Sequence, residues 1–571
     1  MTCLAPIASS SIAATWVRSV SWLHPVTLDD VTFTDAAWLI EVDAYTGSGA
    51  STRLRPAGLC AGPVAASPLG SRIDSGLTTL RLSDAGWIGE PNDADRPNAY
   101  YPGRVEVPLR VNREVAVMPE DSRRLRITYG TIDIMAGDAA LDAAVARWAV
   151  SRRAVRVYRG RRRAPYTTPF STFAAMFSGV GVSWSNDGTR VKLEIRDLSY
   201  RLETPFQTLM YGGTGGADGG SDLKGKAMPF TIGRKRNVKP DLVDDAHLVY
   251  RFHCRAAHAV LAARDRGGAL SVAGNYATHE ALIAAPLSSS QYATCLALGL
   301  VRTGALSPCL TLDIEGDAVG GYVDTHGDCA RRLFEYAGVA AASLVSESFA
   351  DLPTGTAGWY WGSDKTSTTA DALSEVVGSC VGWWGPGRDG RYAVGLLVDP
   401  AGLDPTLSID TMMMREAPTE VSSPGSPRWR QRVEYRVLGT TQASADLLGE
   451  GSTAVSAADR SLYGTGYLTA TTAAVDIQTR WPDAEDPDPH VSAFDDAADA
   501  QTLADRLLAR HRRQPRLWNV KVGPYGHRVD VGDAVRLTYP RFGLADGPVG
   551  VAVGVDEEGD DVTLTILILG D

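Results

Sequence analysis

Tyr211 to Asp222, YGGTGGADGGSD, runs directly into Leu223 to Tyr250, LKGKAMPFTIGRKRNVKPDLVDDAHLVY. The first stretch holds six glycines in twelve residues, and the second fixes the backbone at Pro229 and Pro240. Glycine opens conformations closed to other residues and proline locks φ, so the pair reads as a shaped connector, residues 206–245, between folded blocks. Gly225, Pro229, Gly233 and Pro240 set its path. A second punctuated run, Tyr292 to Gly304 (YATCLALGLVRTG), follows downstream. Neither run is accompanied by a nucleophile, a metal cage or an acid/base pair.

Upstream of the connector the pattern is that of half-buried strands. Thr79, Arg81 and Ser83 alternate with Leu80 and Leu82, and Val191, Leu193 and Ile195 alternate with Lys192, Glu194 and Arg196. Gly103 to Val111, Arg124 to Ile134 and Ala154 to Tyr158 repeat this, with a short helix expected between Ala139 and Ala149. These features predict a mostly antiparallel β domain over residues 1–205. Downstream, residues 246–324 read as a small β-rich domain with strands at Leu248 to Phe252 and Leu310 to Ile314. Residues 325–415 read as an α/β module. Leu333, Phe334 and Ala337 lie at helical spacing before Gly338, and Ala372, Leu373, Val376, Val377 and Cys380 give a second helical face. A strand, turn, strand unit follows over residues 380–398. Residues 416–571 read as a C-terminal barrel-like β domain with one helix, which Ser492 is placed to cap.

Bulk composition agrees with several folded domains. A chain of 571 residues, 44% hydrophobic and 22% charged, exceeds what one core usually serves and implies about three to five domains. Its 58 glycines and 31 prolines favour short strands and many turns. The formal charge of −11 argues against general nucleic-acid binding. Seven widely spaced cysteines without a CxxC disfavour a disulfide scaffold or structural zinc. The start MTCLAPIASSSIAATW has no basic n-region, and no 18-residue apolar run occurs, so neither Sec export nor stable membrane insertion is expected.

Four constellations invite chemistry. Gly220 to Lys226 satisfies GxxxxGK, but Ala227 stands where a magnesium-binding hydroxyl is required and Pro229 interrupts the helix that should follow. His253, Cys254 and His258 form HCxxxH without a third or fourth ligand nearby. Asp328 lies close to His326, yet its position at a predicted helix start accounts for it. Arg152, Arg153, Arg156, Arg159, Arg161, Arg162 and Arg163 place seven arginines in twelve positions. Such a run can meet phosphates, but in an acidic chain a solvated rim or an acidic protein neighbour is favoured. Arg161, Arg162 and Arg163 are accordingly expected to face a partner. Trp383 and Trp384 are adjacent in a strand and so point to opposite sides, which makes them partner-facing candidates as well. No catalytic, cofactor or metal residue is assigned, and no cofactor is expected.

The order and spacing of several segments resemble the tail-hub or baseplate-hub proteins of long-tailed, siphophage-like bacteriophages and prophages. They are Tyr100 to Pro108 (YYPGRVEVP), Asp138 to Val157, Phe206 to Tyr211 (FQTLMY), Leu223 to Val243, Tyr292 to Gly304 and Asp530 to Leu544 (DVGDAVRLTYPRFGL). The resemblance implies a fold that is mainly β with α/β parts, in which barrel-like domains form a tube. It also implies a non-enzymatic homotrimer at the virion tail tip, assembled in the bacterial cytoplasm. The partners would be other tail-tip, distal-tail and tail-tube proteins, the tape-measure protein and fibres, with phage DNA passing transiently and without specific binding. A tail-associated cell-wall hydrolase or glycan-binding tip protein is the alternative.

Overall fold

Alternation becomes burial where it was read. In the strand Arg190–Arg196, Val191, Leu193 and Ile195 are buried while Lys192 and Glu194 are exposed. Each buried aliphatic side chain of this kind contributes about 1.5–3 kcal/mol. The computed structural model describes residues 36–46, 76–117, 124–136, 139–161, 168–365, 367–400, 402–421, 425–449 and 452–570.

Seven strands of the N-terminal block lie side by side in the order Leu77–Ser83, Ala36–Tyr45, Ala154–Arg161, Ala174–Asn186, Arg190–Arg196, Gly130–Met135 and Val105–Glu114. All of these pairings are antiparallel. The run curls until its ends meet: Ser83 N donates to the Pro102 carbonyl (2.8 Å) and Arg104 N to the Ser83 carbonyl (2.7 Å). Leu80 and Leu82 from one end and Val105, Leu109 and Val111 from the other therefore share one core. The expected helix is present as Ala139–Arg147.

This sheet does not stop at residue 196. Val105–Glu114 pairs along Arg110 to Glu114 with Val549–Glu558 near the C-terminus. Asp561–Leu569, Pro515–Lys521 and Thr419–Val421 continue the sheet, and Ala534–Leu537 and Leu407–Ile409 flank it. The two outermost members, Leu407–Ile409 and Thr419–Val421, are joined by residues 410–418, so this half also wraps a core, formed by Val520, Val535, Val555, Leu564 and Ile566 among others. The expectation of separate domains at 1–205 and 416–571 is thus corrected: the two ends of the chain build one 14-stranded sheet with a barrel-like half on each side. Local alternation cannot reveal this, because the strands that join the halves are over four hundred residues apart.

The reading of residues 206–245 as a connector is also corrected. Phe230–Val238 is an interior strand of a nine-stranded sheet, paired with Leu310–Asp317 on one side and Gly358–Trp361 on the other. Gly233 sits at φ 71° opposite Gly358, and a Cβ there would lie 2.0 Å from the Ala357 carbonyl oxygen. Its glycine serves a close approach of two backbones rather than a linker. Pro229 and Pro240 are buried at the two ends of this strand. Gly225 is in a turn at φ 79° with open space around its Cα. The same sheet includes Ala257–Asp265 and Gly268–Asn275, which weak alternation concealed; Gly268–Asn275 has no buried residue.

The α/β module packs against this sheet. Helix His326–Tyr336 is capped by Thr325, whose hydroxyl accepts from Asp328 N, and Gly338 follows at φ 78°. Helix Thr369–Gly378 begins with a reciprocal Thr368/Asp371 capping box. Helix Ala497–His511 covers the small sheet of Arg430–Tyr435, Leu468–Ala473 and His490–Val491 through Ala500, Leu503, Ala504 and Leu507. Ser492 does not cap it. Its hydroxyl donates to the Glu434 carbonyl (2.7 Å), and Asp496 occupies the cap position.

Candidate assembly site at the chain junctions

Where the two barrel-like halves meet, five side chains from four parts of the chain converge. Val105–Glu114 contributes Arg113, and Val549–Glu558 contributes Glu557 at an inward position of its alternating pattern. The turn between Gly382–Pro386 and Tyr392–Leu396 supplies Arg388. The short helix Gly523–Arg528 and the residues after it supply His527 and Asp530. Arg113 donates to Glu557 Oε2 (2.7 Å) and Asp530 Oδ2 (3.1 Å). Arg388 donates to Glu557 Oε1 (2.9 Å) and to the His527 and Val529 carbonyls (2.6 and 3.0 Å). The four charged side chains are at most 3% exposed.

Burial alone would raise the Glu557 carboxyl, but the Arg113 and Arg388 charges overcome it and hold the group well below the usual glutamate range. Burial lowers His527, against the pull of Glu557, and the ring meets Trp38 edge-on at 5.4 Å. Trp38 Nε1 and Arg159 Nε both donate to Asp560 Oδ1 (3.1 Å each). Every charge here is answered by another within the chain, so the arrangement fixes geometry. Desolvation makes such clusters weak net stabilisers, while removing one member strands the others.

A second junction ties the nine-stranded sheet to the small sheet beneath Ala497–His511. Asp495 accepts from Arg236 Nε and Nη2 (2.6 Å each), with Arg436 and Arg234 at 3.6 and 3.8 Å. Asp313 accepts from Arg264 Nη2 and Asn237 N (2.8 and 2.9 Å). Burial opposes ionisation of Asp495, yet the Arg236 contact wins and lowers its pKa.

The sites expected from sequence fall elsewhere. Trp383 and Trp384 are buried, at 1% and 0% exposure, so their assignment as partner-facing is corrected. They do point to opposite sides: Trp383 enters the core of the C-terminal half and Trp384 that of the α/β module, where its Nε1 donates to Ser374 Oγ (3.0 Å). The hairpin wedges between two cores of its own chain, which bury both rings. Arg161 ends the strand Ala154–Arg161 and is half-buried; Arg162 and Arg163 lie outside the described residues. His253 is buried and its Nδ1 accepts from Thr231 N (3.1 Å), whereas His258 is exposed and stacks on Tyr322. Lys224 and Lys226 are exposed in turns. His326 points away from Asp328, its Nε2 3.1 Å from Ser379 Oγ.

None of the five junction side chains was singled out in the sequence, although Asp530 opens one of the resembling segments. A carboxylate facing inward on a strand, as Glu557 does after Val553 and Val555, is the one local signal available. Among the described residues, no three His, Cys, Asp or Glu side chains are grouped to hold a metal, and no helix is long and apolar enough to cross a membrane. Exposed large apolar side chains occur on each part, including Tyr129 on the N-terminal half, Met412 on the C-terminal half, and Val272 and Leu306 on the nine-stranded sheet.

No family model and no curated protein matches the chain. Among solved structures it is similar to a tail protein from Neisseria meningitidis, with 13% identity over 82% of this chain and 96% of that one, at a TM-score of 0.36. A chain in the virion of a native gene transfer agent particle gives 13% identity over 60% of this chain and 85% of its own, at 0.39. The 43 kDa tail protein of prophage MuSo2 from Shewanella oneidensis gives 10% identity over 83% and 96%, at 0.34. These values assign neither a family nor a role.

Proposed function

We propose that the chain is a non-enzymatic structural hub of a bacteriophage tail tip, closing the distal end of the tail tube as a homotrimer and attaching tip proteins or fibres. The observation that carries this reading is the fusion of two barrel-like halves on one continuous sheet, locked by the Arg113–Glu557–Arg388–Asp530 cluster. Three copies would set six such halves around one axis, and a fixed angle between halves is what a ring requires of each copy. The spaced segments that resemble tail hubs support the same reading. Tape-measure, distal-tail and tube proteins are its partners, DNA passes through without a specific site, and assembly takes place in the host cytoplasm before the hub reaches the virion tip.

A glycan-binding tip protein would need aromatic side chains open to a sugar. Trp359, Trp361, Trp383 and Trp384, the tryptophans around the α/β module, are at most 3% exposed. Electron microscopy with mass photometry of the purified protein tests the hub reading. A three-fold ring with a central opening is the expected result. A compact monomer at every concentration under assembly conditions, or turnover of purified murein abolished by one carboxylate substitution, would overturn it.

A further inference from the structure

A cavity of about 340 Å³ opens between the nine-stranded sheet, helix Thr369–Gly378 and strand His490–Val491. That volume falls at the lower end of the roughly 300–1,000 Å³ typical of small-molecule sites. Its apolar wall comes from Trp359, Val437, Val491 and Ala493.

Most polar groups lining it are already engaged. Ser374 Oγ donates to the Ala370 carbonyl and accepts from Trp384 Nε1. Ser379 Oγ donates to the Val376 carbonyl, Ser492 Oγ to the Glu434 carbonyl, and His490 Nε2 to the Ser379 carbonyl. Two groups of opposite charge remain. The half-buried Lys235 has no carboxylate oxygen within 4.0 Å among the described residues. Glu375, exposed at the rim, accepts at Oε2 from Trp361 Nε1 (3.0 Å), and its Oε1 has no hydrogen bond among the described residues. The two share one cavity and stand too far apart to pair.

We propose that this cavity binds a small zwitterion of the α-amino acid class, its carboxylate against Lys235, its ammonium against Glu375, and a short apolar side chain against Trp359, Val437 and Val491. A ligand of single charge answers only one of the two groups. A multiply charged anion would meet the Glu375 carboxylate with nothing to offset it.

Loss of water around Lys235 pushes its pKa down to about 8, with Glu375 and more distant Asp495 acting upward and Lys365 downward. A carboxylate arriving beside it raises that value again, so near pH 8 binding takes up protons. The test is isothermal titration of the full chain with L-leucine in buffers of different ionisation enthalpy. Saturable binding with proton uptake near pH 8 is expected. Lys235→Met should weaken binding about tenfold or more and abolish the uptake, and Glu375→Gln, which keeps the Trp361 contact, should weaken it about tenfold. 4-Methylpentanoate and isoamylamine, which are leucine without its ammonium and without its carboxylate, should bind correspondingly worse. In the unaltered protein, leucine should shield Lys235 from an amine-acylating reagent, read by peptide mass, which keeps the test independent of how the variants fold. Absence of saturable heat and shielding, 4-methylpentanoate binding as tightly as leucine, or folded variants with unchanged affinity would each overturn the proposal.

Discussion

The two junctions use the same ingredients, arginines around a carboxylate, and bury them to different depths. Between the barrel-like halves, Arg113, Arg388, Asp530 and Glu557 are at most 3% exposed. At the nine-stranded sheet the carboxylates Asp495 and Asp313 are buried, at 4% and 5%, while Arg234 and Arg236 remain 30% exposed and Arg436 32%. Water reaches the arginines of the second junction and screens them, so the loss of one contact there is partly made good by solvent. The first junction has no such relief. Depth of burial, rather than the number of ion pairs, decides how much each junction depends on a single residue.

The largest effect is therefore expected at Glu557. Glu557→Gln leaves Arg113 and Arg388 facing only Asp530 and should cost about 3–5 kcal/mol, read from the earliest transition in chemical denaturation. Since the folded Glu557 carboxyl titrates below its unfolded value, its contribution is complete above the ordinary glutamate range and is lost as pH falls through it toward the folded pKa. The variant should show a shallower acid limb than the unaltered protein. His326, pushed down to about 3 by burial, adds a separate loss between pH 6.5 and 3, because only its unfolded form takes up a proton there. That limb should persist in Glu557→Gln. An unchanged acid profile in the variant would contradict the account of the first junction.

Gly233→Ala probes the backbone at the second junction. Gly233 and Gly358 are register partners, and the segment beside Gly358 continues into the junction, where Asp495 N donates to the Thr356 carbonyl (2.9 Å). A methyl group 2.0 Å from the Ala357 oxygen must move one of the two strands, and φ 71° adds strain. A loss of about 3 kcal/mol is expected. Hydrogen exchange should locate it in Phe230–Val238 and Gly358–Trp361, with the 14-stranded sheet unaffected.

What was legible in the chain divides along the same lines. Elements whose evidence is local were readable: the alternation of Arg190–Arg196, the helix ending before Gly338, and the face of Thr369–Gly378. Elements defined by remote partners were not. Six glycines before Phe230–Val238 look like a hinge when the strands on either side of it are unknown, and Gly233 looks like flexibility when it is the price of a close contact with Gly358. Trp383 and Trp384 were rightly placed on opposite faces, but which cores receive them depends on strands from residues 520–570 and helices from 326–378. The junction residues were hidden for the same reason: Arg113 and Glu557 are brought together only by the pairing of the first and last parts of the chain.

Asp495→Asn should have a smaller effect than either change above. It keeps the shape and loses the charge that two Arg236 nitrogens share, for about 1–3 kcal/mol. Because Arg234, Arg236 and Arg436 can turn to water, the cost should shrink as salt is added, whereas that of Glu557→Gln should not. Denaturation at low and high ionic strength makes the comparison. Equal salt dependence in the two variants would remove the distinction between the junctions.

Asp486→Asn sets the lower bound. Asp486, in the loop between Trp481 and Pro489, is bound by Arg430 through two nitrogens and by Arg432 at 3.3 Å. The geometry is as favourable as at Asp495, and the Arg430 contact likewise lowers the Asp486 pKa. Yet all three side chains are about a third exposed, at 32%, 30% and 28%. An exposed pair gains little from Coulomb attraction and loses side-chain freedom to form, so no change in the denaturation midpoint is expected at physiological salt. A loss here as large as that at Asp495 would mean that hydrogen-bond geometry, and not depth of burial, governs the charge networks of this chain.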